Sequence, residues 1–213
     1  YLQNKPLSAD LDLIADSIHF QILNGKIGVN KAFFNLSGSI EKNKKKKGTA
    51  DGYLLSIKLN GKRLEIPLLT ALVPDKKLLA PYRISGLADL AVFIDGIWSS
   101  DEIPQIQCNF HVRNGSASFG SAQDESLTTN GKFKEASSWV VLTDIETSGT
   151  FTGRADAGNK KYNSLKGKPL VDIETYSAKL GTDVLKGKFR LWDFNMPKIY
   201  LYVTGTIDMG KLK

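Results

Sequence analysis

The chain of 213 residues is poor in the groups that carry most protein chemistry. Its one cysteine cannot form an intramolecular disulfide, and a four-thiolate zinc site is excluded. Its two histidines, His19 and His111, are too few for a histidine-rich metal centre. No apolar run approaches the roughly 18 residues that a membrane-spanning helix requires. A secretory leader pattern of basic start, apolar stretch and small-residue cleavage site is also missing. The chain opens at Tyr1 and stops at Lys213 in mid-pattern, which reads as a piece of a longer protein. The lack of an anchor or leader therefore says little about the native chain.

What is present suits a folded β protein. Hydrophobic residues make up 41% of the chain, enough for a core, which argues against global disorder. The formal net charge of +7 suggests a nucleic-acid partner until its placement is seen. Lys42, Lys44, Lys45, Lys46 and Lys47 supply five of those seven charges in a single run. The rest of the chain is close to neutral.

The dominant pattern is alternation with period two. Ile106, Cys108, Phe110 and Val112 fall on one side, with Gln105, Gln107, Asn109, His111 and Arg113 on the other. Only a strand sends alternate residues to opposite faces, so 105–113 is expected to be a half-buried antiparallel strand. Asn114-Gly115 accepts the positive φ angles of a tight hairpin, and 116–120 is expected to be the return strand. The alternation recurs at Leu90, Val92 and Ile94 before Asp95-Gly96, at Phe189 and Leu191, and at Ile199, Leu201 and Val203. Further turns are expected at Asn24-Gly25, Asp51-Gly52, Asn60-Gly61 and Asn130-Gly131. Many short strands with such turns make an all-β protein.

One segment departs from this period. Leu68, Leu69, Leu72 and Val73 sit at helical spacing, Pro67 suits a first helical turn, and Pro74 should end or kink it. A short helical insert is expected within about 66–80, with a second turn at 75–79. A weak internal echo is also present. Ile103-Pro104-Gln105-Ile106 and Met196-Pro197-Lys198-Ile199 each place a proline just before an alternating strand, where it breaks no ladder bond.

The succession Tyr82-Arg-Ile-Ser-Gly86, Leu90 to Gly96, Ile103-Pro-Gln-Ile106, Phe110-His-Val-Arg-Asn-Gly115 resembles the AsmA-like family of bacterial envelope proteins. The leucine-rich stretch ending at Pro74 and the run from Leu185 through Asn195-Met-Pro197 to Asp208 are similar to units of that family. The resemblance spans residues 10–213 and is densest over 82–120 and 183–208. It implies a single domain over 1–213 that is mainly β, an elongated twisted antiparallel sheet bent into a groove, with one or two short helices. It further implies a periplasmic protein, anchored in the inner membrane by a segment absent here, with a part in phospholipid transport and outer-membrane biogenesis.

A lipid groove must hide acyl chains and let them slide, and each buried methylene contributes about 0.8 kcal/mol. Candidate lining residues are Leu90, Val92, Ile94, Ile106, Cys108, Phe110, Val112, Leu191, Ile199, Leu201 and Val203. The same alternation also describes a sandwich or a closed barrel, where these residues would pack against protein. A carbohydrate-binding or adhesive sandwich is the alternative, with Tyr53, Trp98, Trp139, Trp192, Tyr200 and Tyr202 as its aromatics. A purely structural envelope scaffold is a third reading.

Catalysis has no signature. Cys108 lies in the apolar register and reads as a buried, inert thiol. No Gly-x-Ser-x-Gly occurs, and Lys166-Gly-Lys168 lacks the remaining parts of a phosphate loop. Asp10, Asp12, Asp16, Asp101-Glu102 and Asp124-Glu125 do not fit a calcium loop. No metal or cofactor is expected. The lysine run, from Lys42 to Lys47, reads as an exposed hairpin loop that could meet anionic headgroups or a membrane surface. Nucleic acid is set aside because no aromatics are interleaved with the basic run.

Overall fold

The computed structural model describes residues 6–29, 31–43, 52–70, 82–100, 102–119, 140–153, 168–194 and 196–206. These form ten strands and one short helix. The strands are β1 (Leu7–Ala15), β2 (His19–Val29), β3 (Ala32–Asn43), β4 (Gly52–Glu65) and β5 (Tyr82–Ser99), then β6 (Gln105–Phe119), β7 (Val140–Thr152), β8 (Leu170–Leu180), β9 (Asp183–Trp192) and β10 (Lys198–Gly205). Helix α1 (Ile66–Thr70) follows β4. All ten strands join one sheet in sequence order, each antiparallel to the next. The sheet is twisted and bent, and it does not close: β1 and β10 each pair on one side only. At about 4.8 Å per strand, ten strands span roughly 43 Å from edge to edge. The expected fold class holds.

The strands are longer than expected because four of the supposed turns are not turns. Asn24-Gly25 lies inside β2, Asn60-Gly61 inside β4, Asp95-Gly96 inside β5 and Asn114-Gly115 inside β6. The hairpin expected at Asn114-Gly115, with a return strand over 116–120, is thus corrected: β6 runs straight through to Phe119. Asn114 does adopt the left-handed φ of 52° that the dipeptide invites. The conformation serves a bulge, where the ladder between β6 and β7 slips from Val112↔Thr147 to Gly115↔Ile145. A bulge adds a residue to one strand and bends it without reversing the chain. The two other turn dipeptides, Asp51-Gly52 and Asn130-Gly131, fall wholly or partly outside the described residues.

Similar slips recur across the sheet. They lie between Ile22 and Gly25 in β2, Gly61 and Leu64 in β4, Thr143 and Glu146 in β7, and Ile173 and Tyr176 in β8. Arg63 and Asp144 take φ of 53° and 50° at two of these places, matching Asn114. Opposite the β6 bulge, Gly86 has φ of 130°, and a Cβ there would lie 2.8 Å from the Gly115 Cα. The Asp89 carboxylate ties the neighbouring strands together. One oxygen accepts the Arg63 N–H at 2.7 Å and the other pairs with the Arg113 guanidinium.

Helix α1 begins with Pro67 in its first turn, as expected, and the Thr70 hydroxyl donates to the Pro67 carbonyl at 3.0 Å. Leu69 packs with Leu59 and Leu90 against the buried cluster Ala32, Phe34 and Leu64. The rest of the insert to residue 80, including the second turn at 75–79, lies outside the described residues. Pro104 and Pro197 stand immediately before β6 and β10, so both copies of the proline echo start strands.

Two substitutions test this framework by urea unfolding. Gly38 has φ of 143°, and a Cβ there would lie 2.1 Å from the Ser56 carbonyl oxygen. Gly38→Ala should therefore destabilise the sheet by about 1–3 kcal/mol. Asp89→Ala removes both bonds at the β4–β6 bulges and should cost about 1–2 kcal/mol after allowing for solvent exposure. An unchanged midpoint in either case would show that the bulge contacts are not structural.

Candidate acyl-chain groove

Cross-strand partners in an antiparallel sheet point to the same face, so the register assigns every side chain to a side. Ile94, Val92, Leu90 and Ala88 pair with Ile106, Cys108, Phe110 and Val112. The same face continues through Ile57, Leu59 and Leu64 of β4, and through Phe34, Leu36 and Ile40 of β3. It passes on to Phe20, Ile22 and Ile27 of β2, then to Ala9, Leu11 and Leu13 of β1. In the other direction it takes in Phe151 of β7, Val171 and Ile173 of β8, and Phe189 and Leu191 of β9. It ends on Ile199, Leu201 and Val203 of β10. Every candidate lining residue lies on this one face, to which all ten strands contribute apolar residues; Thr147 of β7 and, near strand ends, Lys42 of β3 and Asp183 of β9 also lie on it.

The bulges keep it so. Apolar residues step by two along each strand and by three at the slips: Ile22 to Gly25, Gly61 to Leu64, Val112 to Gly115, Ile173 to Tyr176. Without the extra residue, every side chain beyond that point would change face.

The lining residues are accessible to different degrees. Leu90, Val92, Ile94, Ile106, Cys108, Phe110, Val112 and Leu191 are half-buried. Ile199, Leu201 and Val203 are 63%, 59% and 43% exposed. Of the buried apolar side chains, Ile22, Ala32, Phe34, Leu55, Leu64, Ala88, Ala117 and Ala178 share this face, and Leu170 lies on the other. Among the described residues no second sheet faces it, so the two-sheet sandwich of the alternative reading is not formed there.

The opposite face is mainly polar and charged, with Phe33, Leu54, Val141 and Val184 exposed among the polar residues. It carries Gln107, Asn109 and His111 of β6, Ser148 and Thr150 of β7, and Lys186, Lys188 and Arg190 of β9. Ion pairs lie on it: Arg113 with Asp89, Arg190 with the buried Asp172 at 3.2 Å, and Lys179 with Asp144 at 2.8 Å. A shallow depression of about 390 Å³ on this side is lined by His111, Glu146, Glu174, Lys186, Lys188 and Tyr202. Linear spacing does not disclose it, because only the register brings the polar residues of five strands together. Its charges are of both signs, and no group of metal-ligating side chains forms among the described residues.

The residues considered for chemistry stay apart. Cys108 is half-buried, and burial pushes its thiol above its ordinary pKa, away from the reactive thiolate. His111 is exposed on the polar face, in register with Asp89 of β5, a carboxylate that linear spacing concealed. His19 lies 3.6 Å from Glu41 across β2 and β3. Tyr53 and Trp98 pair on the apolar face, whereas Tyr200 and Tyr202 lie on the polar one. Trp192 shares the polar face with Tyr200 and Tyr202, so these aromatics divide between the two faces, and Trp139 lies outside the described residues. Lys42 is exposed at the end of β3, opposite Tyr53. Lys44, Lys45, Lys46 and Lys47 lie outside the described residues.

Asp16 closes the β1–β2 connection. One carboxylate oxygen accepts the Ile18 and His19 N–H groups, both at 2.8 Å. These backbone bonds hold its pKa below the ordinary carboxylate value. Comparison of the chain with family models, curated proteins and solved structures gives no match.

The Asp16 geometry fixes a pH dependence. A depressed folded pKa means that the carboxylate's contribution is present above the unfolded pKa of 3.8 and is lost as pH falls through the folded value. Asp16→Asn keeps an acceptor oxygen but cannot titrate. Below the unfolded pKa, the urea midpoint of the variant should fall less steeply with decreasing pH than that of the parent chain.

Proposed function

We propose that this chain is a non-catalytic groove segment that shelters the acyl chains of phospholipid. The observation that carries the reading is the mainly apolar face, to which each of ten strands contributes, on a sheet that does not close. A closed barrel or a sandwich would spend that face on protein packing. An open sheet leaves it for a ligand, and soluble proteins rarely expose contiguous apolar patches larger than a few hundred Å² without a use for them.

The chemistry suits an acyl chain in particular. The central strands present Leu90, Val92, Ile94, Ile106 and Phe110 with no charged group among them. Such a surface holds methylenes through burial alone, at about 0.8 kcal/mol each, and fixes no register along the chain. A bound tail could therefore move without breaking polar contacts. Headgroups would stay at the polar rim, where Lys42 stands at the end of β3. The resemblance to the AsmA-like envelope family supports the same reading and extends it to a periplasmic, inner-membrane-anchored protein in phospholipid transport.

Two neighbours on β6 make the test. Phe110 faces the apolar side and Asn109 the polar side. Phe110→Glu should weaken binding of a fluorescent acyl probe by about tenfold or more, since it sets a charge where a half-buried ring would meet the acyl chain. Asn109→Glu should leave binding unchanged. Native mass spectrometry with lipid extraction of the purified chain should find co-purifying phospholipid. A lipid-free chain that also excludes the acyl probe would overturn the reading.

A further inference from the structure

One polar group on the apolar face is left unused by the chain itself. Away from the strand ends, hydroxyl groups reach this face at two described positions, Thr147 of β7 and Tyr176 of β8, which stand opposite each other in the ladder. The Thr147 hydroxyl is occupied, because it donates to the Thr175 carbonyl at 3.1 Å. The Tyr176 hydroxyl has no hydrogen-bond partner among the described residues. Tyr176 also borders the depression on the polar side, but the ladder turns its side chain to the apolar face, opposite Thr147 and Gly187.

The half-buried ring reaches across to the next strand. A Cβ on Gly187 of β9 would lie 2.8 and 2.9 Å from the ring carbons Cε1 and Cζ, so the ring fills the space that a side chain at 187 would take. Cζ carries the hydroxyl, which therefore lies close to β9, where Leu185 and Phe189 flank Gly187 on the same face. Burial pushes the phenol above its ordinary pKa, so it keeps its proton and can donate. A donor that loses water without gaining a bond is costly, and folded proteins usually satisfy such groups.

A ligand on the face can supply the missing acceptor. Methylenes offer none, and the first acceptor along an acyl chain is the carbonyl at its head. The charged residues of this face, Lys42 and Asp183, stand near strand ends, and Asp183 on β9 is itself an anion. A free carboxylate beside Tyr176 would thus be an uncompensated charge on an apolar surface, whereas an ester carbonyl is neutral. We propose that the Tyr176 hydroxyl donates a hydrogen bond to the ester carbonyl of an acyl chain lying on the face. The proposal rests on the acyl-groove reading and adds a selectivity to it: ester-linked chains are held in preference to ether-linked ones. A single neutral bond marks a preferred position for the head of the chain and is weak enough to let the chain move on.

Two matched short-chain phosphatidylcholines, one diacyl and one dialkyl ether, test it by displacement of the fluorescent acyl probe. The parent chain should bind the diacyl lipid about three- to tenfold more tightly, the worth of one net hydrogen bond. Tyr176→Phe keeps the ring beside Gly187 and should lower the diacyl affinity to the ether value, with the ether affinity unchanged. Equal binding of the two lipids by the parent chain overturns the proposal and leaves the groove reading standing. A preference that Tyr176→Phe retains does the same. Laurate that binds more tightly than the diacyl lipid, and weakens in Tyr176→Phe, overturns the ester assignment in favour of a free carboxylate. A parent chain that binds none of the three refutes the groove reading and this proposal with it.

Discussion

The constraint on which the rest depends is parity. In a strand, successive side chains leave on opposite sides, so the apolar set keeps to one face only if hydrogen-bond register and residue spacing agree on every strand. This chain meets that condition across ten strands in a row. A slip of a single residue on one central strand would send leucines into water and lysines under the sheet. The long ladders, such as the run from Tyr82↔Phe119 to Asp95↔Gln105 between β5 and β6, leave little freedom for such a slip.

Curvature follows from the same rule. A sheet this wide has to bend, and each bend is made by a bulge that would scramble parity unless the sequence allowed for it. The allowance is visible in the step of three at Gly61-Lys-Arg-Leu64, Val112-Arg-Asn-Gly115 and Leu142-Thr-Asp-Ile145. At each of these the third residue is left-handed: Arg63, Asn114 and Asp144. Asn and Asp tolerate that conformation better than most residues. Asp89 and the Asp144–Lys179 pair then hold the bulged strands in place from the polar side. The groove and its polar back are thus two results of one pattern.

Much of the fold was legible because alternation is a local signal. The strands at 105–113 and 199–203, the short helix behind Pro67 and the prolines before β6 and β10 all follow from neighbouring residues. The Asn-Gly dipeptides suit a turn and a bulge alike, because positive φ serves both. Linear sequence alone does not separate the two, although the step of three around Val112 and Gly115 does. The lining residues were legible as a set, since each sits in an apolar phase. Their union into one face was not, because it depends on the register between strands distant in sequence. The same holds for Asp89 beside His111 and for the mixed-charge depression across β6 to β10.

An open apolar face backed by one that carries most of the sheet's charge makes a specific claim about where a ligand lies. The most direct measurement places a photo-crosslinking side chain at each position of β6 from Ile106 to His111 in turn, with radiolabelled phospholipid vesicles as the target. The account predicts a period of two, with crosslinks at Ile106, Cys108 and Phe110 and none at Gln107, Asn109 and His111. Crosslinking without that period, or none on the apolar face, would contradict it.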